Sequence, residues 1–279
     1  MRVSVLQMNQ GSDKAANLAQ AERLIGGAAA DGAALVSLPE TWTNLGGGRE
    51  ARMRAAEALP APGGTGGEAY EFLRAMARRH AIHVHGGSIV ERGGVEDSGD
   101  KLFNTTLVFG PDGEELARYR KIHLFDITGP DGTGYRESAL YGAGERLEGF
   151  EAGGTRFGLS ICYDLRFPEL YLALRRAGAE AVFVPSNFTL MTGKDHWEVL
   201  LRARAIESQA WVIAAASWGT YEERGGTRQV YGHSMIVDPW GHVVARCSDG
   251  VGWATARLDA EVTRRVRRDM PVLEHRRLA

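Results

Sequence analysis

Phe157-Gly-Leu-Ser-Ile-Cys-Tyr-Asp-Leu-Arg-Phe-Pro-Glu169 reads as a strand that stops at a cysteine and a helix that starts a few residues on. The strand is expected over 157–162 and the helix over 168–177. The alternation continues downstream, with an apolar strand at 181–185, a helix over 194–209 and a second apolar strand at 211–217. Upstream, Val3, Val5 and Leu6 make a strand. Asp13 can cap a helix over 13–30, with Leu18, Ala21, Leu24 and Ile25 on one face, and 33–38 is a buried strand ending at Pro39-Glu40. A Gly/Pro loop at 60–67 leads to a helix near 67–79. Residues 82–90 alternate like a strand, and a hairpin joins 102–109 to 114–119 through Gly110-Pro-Asp-Gly113. The C-terminal part is antiparallel, with strands at 233–237, 242–246 and 252–258 and a basic helix at 260–268. Strands alternating with helices, without a linker, indicate an α/β fold with layered sheets in one domain over 1–279. From 127 to 144 the hydrophobic pattern lapses into Gly, Asp and Thr, which reads as a long functional loop, with 126–135 as a lid.

Composition narrows the function classes. Of 279 residues, 44% are hydrophobic and 24% charged, which is ordinary for a globular protein. The charge sum, 33 − 35 = −2, excludes nucleic-acid binding through a bulk basic field. The 36 glycines follow no period, so collagen-like and low-complexity readings fail. Met1–Met8 reads as a short strand rather than a signal peptide, and the apolar stretch Trp211–Ala216 is far below the roughly 20 residues that span a bilayer. The expectation is a reduced, cytoplasmic protein in which a lone cysteine is either a packing residue or a nucleophile.

Cys162, at the strand-to-helix elbow, fits both descriptions, because backbone N–H groups at such an elbow can face an oxyanion. Cys247, beside Arg246 in a surface-like turn, is read as incidental. A cysteine nucleophile needs a base. The spacing of the histidines, His123, His196 and His233 among them, selects none. His83-x-His85 puts two rings on one face of a strand, but no cysteine or acid lies at ligand spacing, so no metal site is expected. Glu40 follows a buried strand and is either a partly desolvated base or a surface acid. Lys121, in Tyr119-Arg-Lys-Ile-His123, is either a solvated cation or one fixed beside a reacting carbonyl. Asp164, Arg166 and Glu169 read as an ion-pair set holding the elbow. Gly232-His-Ser-Met-Ile236 lacks the second glycine of a serine-hydrolase elbow, and neither phosphate-binding nor dinucleotide loops occur.

Glu40, Lys121 and Cys162, taken with their surroundings, resemble the nitrilase (carbon–nitrogen hydrolase) superfamily in its Nit branch of amidases. The resemblance runs from Val3-Ser-Val-Leu-Gln-Met8 to Pro271-Val-Leu-Glu-His-Arg-Arg277. Its carrying segments are Leu38-Pro-Glu-Thr41, Tyr119–Phe125, Glu137-Ser138, Ile161–Leu170, Thr192–Glu207 and Tyr231–Gly241. It implies a four-layer α-β-β-α sandwich that dimerises, and a Glu-Lys-Cys triad without metal or cofactor. By position, Glu40 is then the general base, Lys121 the oxyanion-stabilising cation and Cys162 the nucleophile. Glu137 is the branch's second glutamate, and the Tyr163 N–H completes the oxyanion hole. The resemblance further implies a thioester route with release of ammonia or an amine. Within the branch it lies nearest the amidases of deaminated glutathione, carried by His196–Glu207 and Val243–Gly250. The alternatives are omega-amidases acting on 2-oxoglutaramate or 2-oxosuccinamate, and N-carbamoyl or aliphatic amidases. Acidic substrates call for a basic residue in the pocket. Asn187, Phe188, Thr189 and His196 are expected to bind substrate, and Asn187 departs from the small residue of many relatives.

Overall fold

The computed structural model describes residues 1–61, 63–94, 101–129, 132–223 and 225–277. In its first half, β1 (Arg2–Gln7), α1 (Lys14–Ala30), β2 (Leu35–Ser37), α2 (Gly48–Ala55), α3 (Glu68–His80), β3 (His83–His85), β4 (Ile89–Arg92), β5 (Leu102–Phe109) and β6 (Glu115–Arg120) follow in order. A short hairpin, β7 (Asp126–Thr128) and β8 (Gly134–Arg136), comes next. The second half holds β9 (Gly149–Ala152), β10 (Thr155–Leu159), α4 (Pro168–Arg176), β11 (Ala181–Phe183), α5 (Leu190–Ser208) and β12 (Trp211–Ala214). It closes with β13 (Trp218–Glu223), β14 (Gly226–Tyr231), β15 (Met235–Val237), β16 (Val243–Arg246), β17 (Gly252–Arg257) and α6 (Ala260–Asp269).

Two sheets form the centre. One runs β17-β1-β2-β3-β5-β4, with β6 on β5, and the other runs β16-β15-β12-β11-β10-β9. In the first, β1, β2 and β3 are parallel; in the second, β10, β11 and β12 are. The two-residue period of a strand divides the apolar side chains between two cores. Val3, Val5, Leu35 and Val108 face the core shared with the second sheet, while Val36, Val84, Leu107 and Phe109 face the helical side. α1 packs with α3 over the first sheet, and α4 with α5 over the second, which completes the α-β-β-α layering. Strands covered on both faces read as near-continuous apolar runs, which is why they were visible in the sequence.

Several local expectations change. The strand expected over 82–90 is broken into β3 and β4 at Gly86-Gly87. Gly87 has φ +55°, and a Cβ there would lie 2.0 Å from the Pro39 carbonyl oxygen, so the segment after β2 can press against it only because Gly87 has none. The long loop over 127–144 carries the β7–β8 hairpin and a 3-10 turn over Glu137–Ala139; Pro130 and Asp131 of the expected lid lie outside the described residues, as does Pro62 of the 60–67 loop. The strand expected to run to Cys162 stops at Leu159. α5 starts four residues early, at Leu190, because the Thr189 side chain accepts from the Thr192 N–H and caps it. α2 and the β13–β14 hairpin, polar and half-exposed, had no apolar signature.

Both rings of His83-x-His85 do share a face, but His85 is fully buried, stacked on Phe183 of the other sheet and bonded through Nδ1 to Ser37 Oγ at 2.9 Å. Among the described residues no cluster of three metal-ligating side chains occurs. Burial lowers the His85 imidazole to a pKa of about 3. The unfolded chain protonates this ring near pH 6.5, whereas the folded chain keeps it neutral down to about 3. Its stabilising contribution is therefore complete above about pH 6.5 and is lost as pH falls toward 3. At pH 5 the expected loss is about 2 kcal/mol. Chemical denaturation of the wild type and His85→Gln at pH 7 and 5 checks this, since the variant should lose less stability on acidification; equal losses would contradict it.

Candidate active site

The functional candidates converge where the parallel strands of both sheets end at their C-termini, the general location of sites in open α/β sheets. Glu40 follows β2 by three residues and Lys121 follows β6 directly. Cys162 comes three residues after β10 and Asn187 four after β11. Cys162 adopts φ +49°, a left-handed conformation uncommon for a residue with a Cβ, and opens a 3-10 turn over Cys162–Arg166. Its N–H donates to the Pro185 carbonyl at 3.0 Å, and the Asp164 N–H donates to the Ile161 carbonyl, with Tyr163 between them. Pro168 then starts α4, where its missing N–H leaves no donor unpaired.

Lys121 is 2% exposed and lies between two carboxylates. Its Nζ is 3.0 Å from Glu40 Oε1 and 3.1 and 2.9 Å from the two oxygens of Glu137. Asn104 Nδ2 donates to Glu40 Oε1 at 2.8 Å and to Glu137 at 3.4 Å, and the Phe125 N–H donates to Glu137 at 2.6 Å. The Asn187 N–H donates to the other Glu40 oxygen at 2.9 Å. Both carboxylates are thus held by donors on several elements. Burial pulls the Lys121 ammonium toward neutrality, but the charges of Glu137 and Glu40 outweigh it and hold the group well above the usual lysine range. Burial, reinforced by the Glu40 charge and its hydrogen bond, pushes the Cys162 thiol well above its usual value, against the opposing pull of Lys121. At neutral pH the thiol keeps its proton, with a carboxylate beside it to receive it.

Asp164 was expected to hold the elbow in an ion-pair set with Arg166 and Glu169. It is fully buried and ties two elements of the site together. Its carboxylate accepts from the Tyr119 hydroxyl at 2.7 Å, the His123 N–H at 2.9 Å and the Ile161 N–H at 2.9 Å, and lies 2.7 Å from His123 Nδ1. Tyr119 and His123 flank Lys121, so this one side chain fastens the Cys162 turn to the Lys121 segment. Arg166 pairs with neither Asp164 nor Glu169. It lies beside the rings of Tyr163 and Phe188 and 3.3 Å from His196 Nδ1.

A cavity of about 360 Å³ opens over this cluster, lined by Glu40, Lys121, Glu137, Cys162 and Tyr163 together with Asn187, Phe188 and Thr189. His196 does not line it: the ring is exposed on α5 and reaches the cavity only through Arg166. Asn187 does line it, but its side-chain amide donates to the Glu40 carbonyl at 3.1 Å and to Thr41 Oγ1 at 2.8 Å, so it mainly holds the Glu40 segment. Four arginines, Arg52, Arg136, Arg166 and Arg228, also line the cavity, where one basic residue was anticipated. Arg166 was marked only as part of an ion-pair set, and the other three carried no signal in the sequence, because arginines in polar segments are common. Cys247 is buried rather than in a surface turn, and burial pushes its thiol up to about 12.

The family model for carbon-nitrogen hydrolases matches residues 2–268. The chain belongs to the carbon–nitrogen hydrolase family. This hydrolase is 43% identical over 275 residues to the deaminated glutathione amidase of Synechocystis sp., covering 98% of this chain and 97% of the relative. It is 41% identical over 276 residues to that of Homo sapiens, covering 99% and 82%. Among solved structures it is similar to Nit3 of Saccharomyces cerevisiae, a member of branch 10 of the nitrilase superfamily. There the TM-score is 0.86 at 32% identity, covering 100% of this chain and 97% of that one. The hydrolase therefore acts on amide carbon–nitrogen bonds of small molecules. Among the described residues it has no helix long and apolar enough to cross a membrane.

Proposed function

We propose that this hydrolase cleaves the γ-amide of deaminated glutathione, with Cys162 as nucleophile, Glu40 as general base, Lys121 and the Tyr163 N–H as oxyanion donors, and Glu137 holding Lys121. The observation that carries this reading is the convergence of the buried Cys162 thiol, the Glu40 carboxylate and the Lys121 ammonium bonded to it under an arginine-lined cavity. Cys162 Sγ attacks the amide carbon while its proton passes to Glu40. The carbonyl oxygen becomes an oxyanion beside Lys121. The C–N bond then breaks, and the leaving amine takes the proton from Glu40. A water attacks the thioester and gives its proton to Glu40, and C–S cleavage returns that proton to the thiol. A positioned base contributes roughly 10²–10⁴ in rate, and one oxyanion donor about 3–4 kcal/mol.

The leaving group from this substrate is the amine of cysteinylglycine, so the product to follow is 2-oxoglutarate rather than ammonia. The names of the relatives and the cationic cavity support the substrate. Release of 2-oxoglutarate from deaminated glutathione, compared with 2-oxoglutaramate and an N-carbamoyl amine, tests it. A higher kcat/KM for either of the others would overturn the substrate and leave amide hydrolysis standing. We further propose that the hydrolase is cytoplasmic and forms a homodimer, the dimer being supported by Trp240, Val244, Val251 and Met270, apolar side chains that remain exposed.

A further inference from the structure

Three aromatic rings make a strip along the cavity wall. Tyr163, next to the nucleophile, lies 5.1 Å from Phe125 by ring centroids, and Phe125 lies 5.0 Å from Tyr135. A cation stands at each end. The Arg166 guanidinium is 5.9 Å from the Tyr163 ring, and that of Arg228 is 4.9 Å from the Tyr135 ring. The four arginines of the cavity are not equivalent. Arg52 is paired with Glu223, and Arg136 donates to the Ile127 and Tyr135 carbonyls. Among the described residues, neither Arg166 nor Arg228 has a carboxylate partner, although both are partly buried. A partly buried guanidinium resting on a ring, with its donors unspent on acids, is arranged to take a planar anion.

The wall that carries Arg228 is fixed. Arg228 stands opposite Tyr221 in the β13–β14 hairpin. The hairpin is fastened at one end by the Glu223–Arg52 pair and by the Gly47 N–H donating to the Glu222 carbonyl at 2.9 Å. At the other end, Val230 bridges to Thr189. Gly46 has φ +86°, and a Cβ there would lie 2.2 Å from the Glu222 carbonyl oxygen, so glycine is what admits this close approach. The hairpin is therefore a built side of the cavity, and Arg228 a placed cation.

We propose that Arg228, with Tyr135, forms a second anion site that holds a carboxylate on the amine side of the scissile bond, while Arg166 faces the acyl side. The site then selects amides with an acid at both ends. This rests on the substrate reading above, in which the leaving dipeptide ends in a carboxylate. Two extended residues reach about 7 Å, the scale of one to two steps along the ring strip.

The test compares deaminated glutathione with the same compound bearing a carboxamide in place of its glycine carboxylate. The wild type should show a KM about tenfold or more lower for the carboxylate, with kcat nearly the same, and Arg228→Gln should lose this preference. Arg228→Lys should keep part of it, which also covers the case in which the glutamine variant fails to fold. A wild type that treats both compounds alike, or an Arg228→Gln protein that still discriminates, overturns the proposal. An enzyme silent on deaminated glutathione, yet showing the same Arg228-dependent preference among other amides with an amine-side carboxylate, overturns the named substrate and supports the site. Silence with no such preference overturns both.

Discussion

Cys162→Ala is expected to have no measurable turnover on any amide while remaining folded. The proposed chemistry passes entirely through a covalent bond to Sγ, and removal of a nucleophile from a coupled catalytic set typically costs on the order of 10⁶ in kcat. The structural cost is small by comparison. The side chain is 8% exposed, and its loss removes one sulfur atom from a partly open cavity wall, on the order of 1 kcal/mol. The backbone at φ +49° is no harder for alanine than for cysteine. Circular dichroism and thermal melting should match the wild type within a few degrees. Residual activity above about 1% would remove Cys162 from the nucleophile's place. An unfolded variant would show that the residue is structural as well.

Lys121→Met is expected to fail twice. Loss of an oxyanion donor costs roughly 10²–10³ in kcat. The second loss is of stability, because Glu40 and Glu137 then remain buried, both hydrogen-bonded to Asn104, with no cation between them. Breaking a buried ion pair from one side typically costs about 3–5 kcal/mol. The pH dependence identifies the cause. In the wild type, the carboxylates raise the ammonium well above its usual range, so Lys121 stays charged in the folded and unfolded chain throughout pH 5–9 and adds no slope there. In the variant, the paired carboxylates resist ionisation and one binds a proton more tightly when folded than when unfolded. The stability deficit should therefore shrink as pH falls from 8 to 5.5. Melting temperatures of both proteins at these two values decide it, and a deficit that is absent at pH 8, or that grows on acidification, would contradict the account.

The contrast between Cys162 and Asp164 shows where the sequence stops being informative. A cysteine at a strand-to-helix junction is conspicuous, since few residue types there can act as nucleophiles. Asp164, two residues on, reads as one of an ion-pair set with Arg166 and Glu169, yet it is wholly buried and instead binds the turn to Tyr119 and His123. Its partners lie about 40 residues away, and nothing local announces them. Glu137 is a similar case. It sits in a polar stretch without periodicity, where only the family resemblance marks it, and its bonds to Lys121, Asn104 and the Phe125 N–H appear only in the folded chain. His196 shows the reverse error. It lies among segments that resemble the family, but helical geometry turns its ring to solvent.

The layered α/β architecture was legible because strands covered on both faces must be apolar along their length, and helices covered on one face must be apolar at helical spacing. Those are local demands, written in runs of a few residues, and they fixed the order of the elements and the elbow at Cys162. The joining of Glu40, Lys121 and Cys162 was decided by tertiary structure. A charged side chain at 2% exposure is tolerated only where opposite charges surround it, and here they come from Glu40, after β2 of the first sheet, and Glu137, after the β7–β8 hairpin, with Lys121 and Glu40 81 residues apart in sequence. The arginine-lined wall is likewise a property of the stacked sheets and their edge hairpins, because cations spread over four segments converge only when the chain is folded.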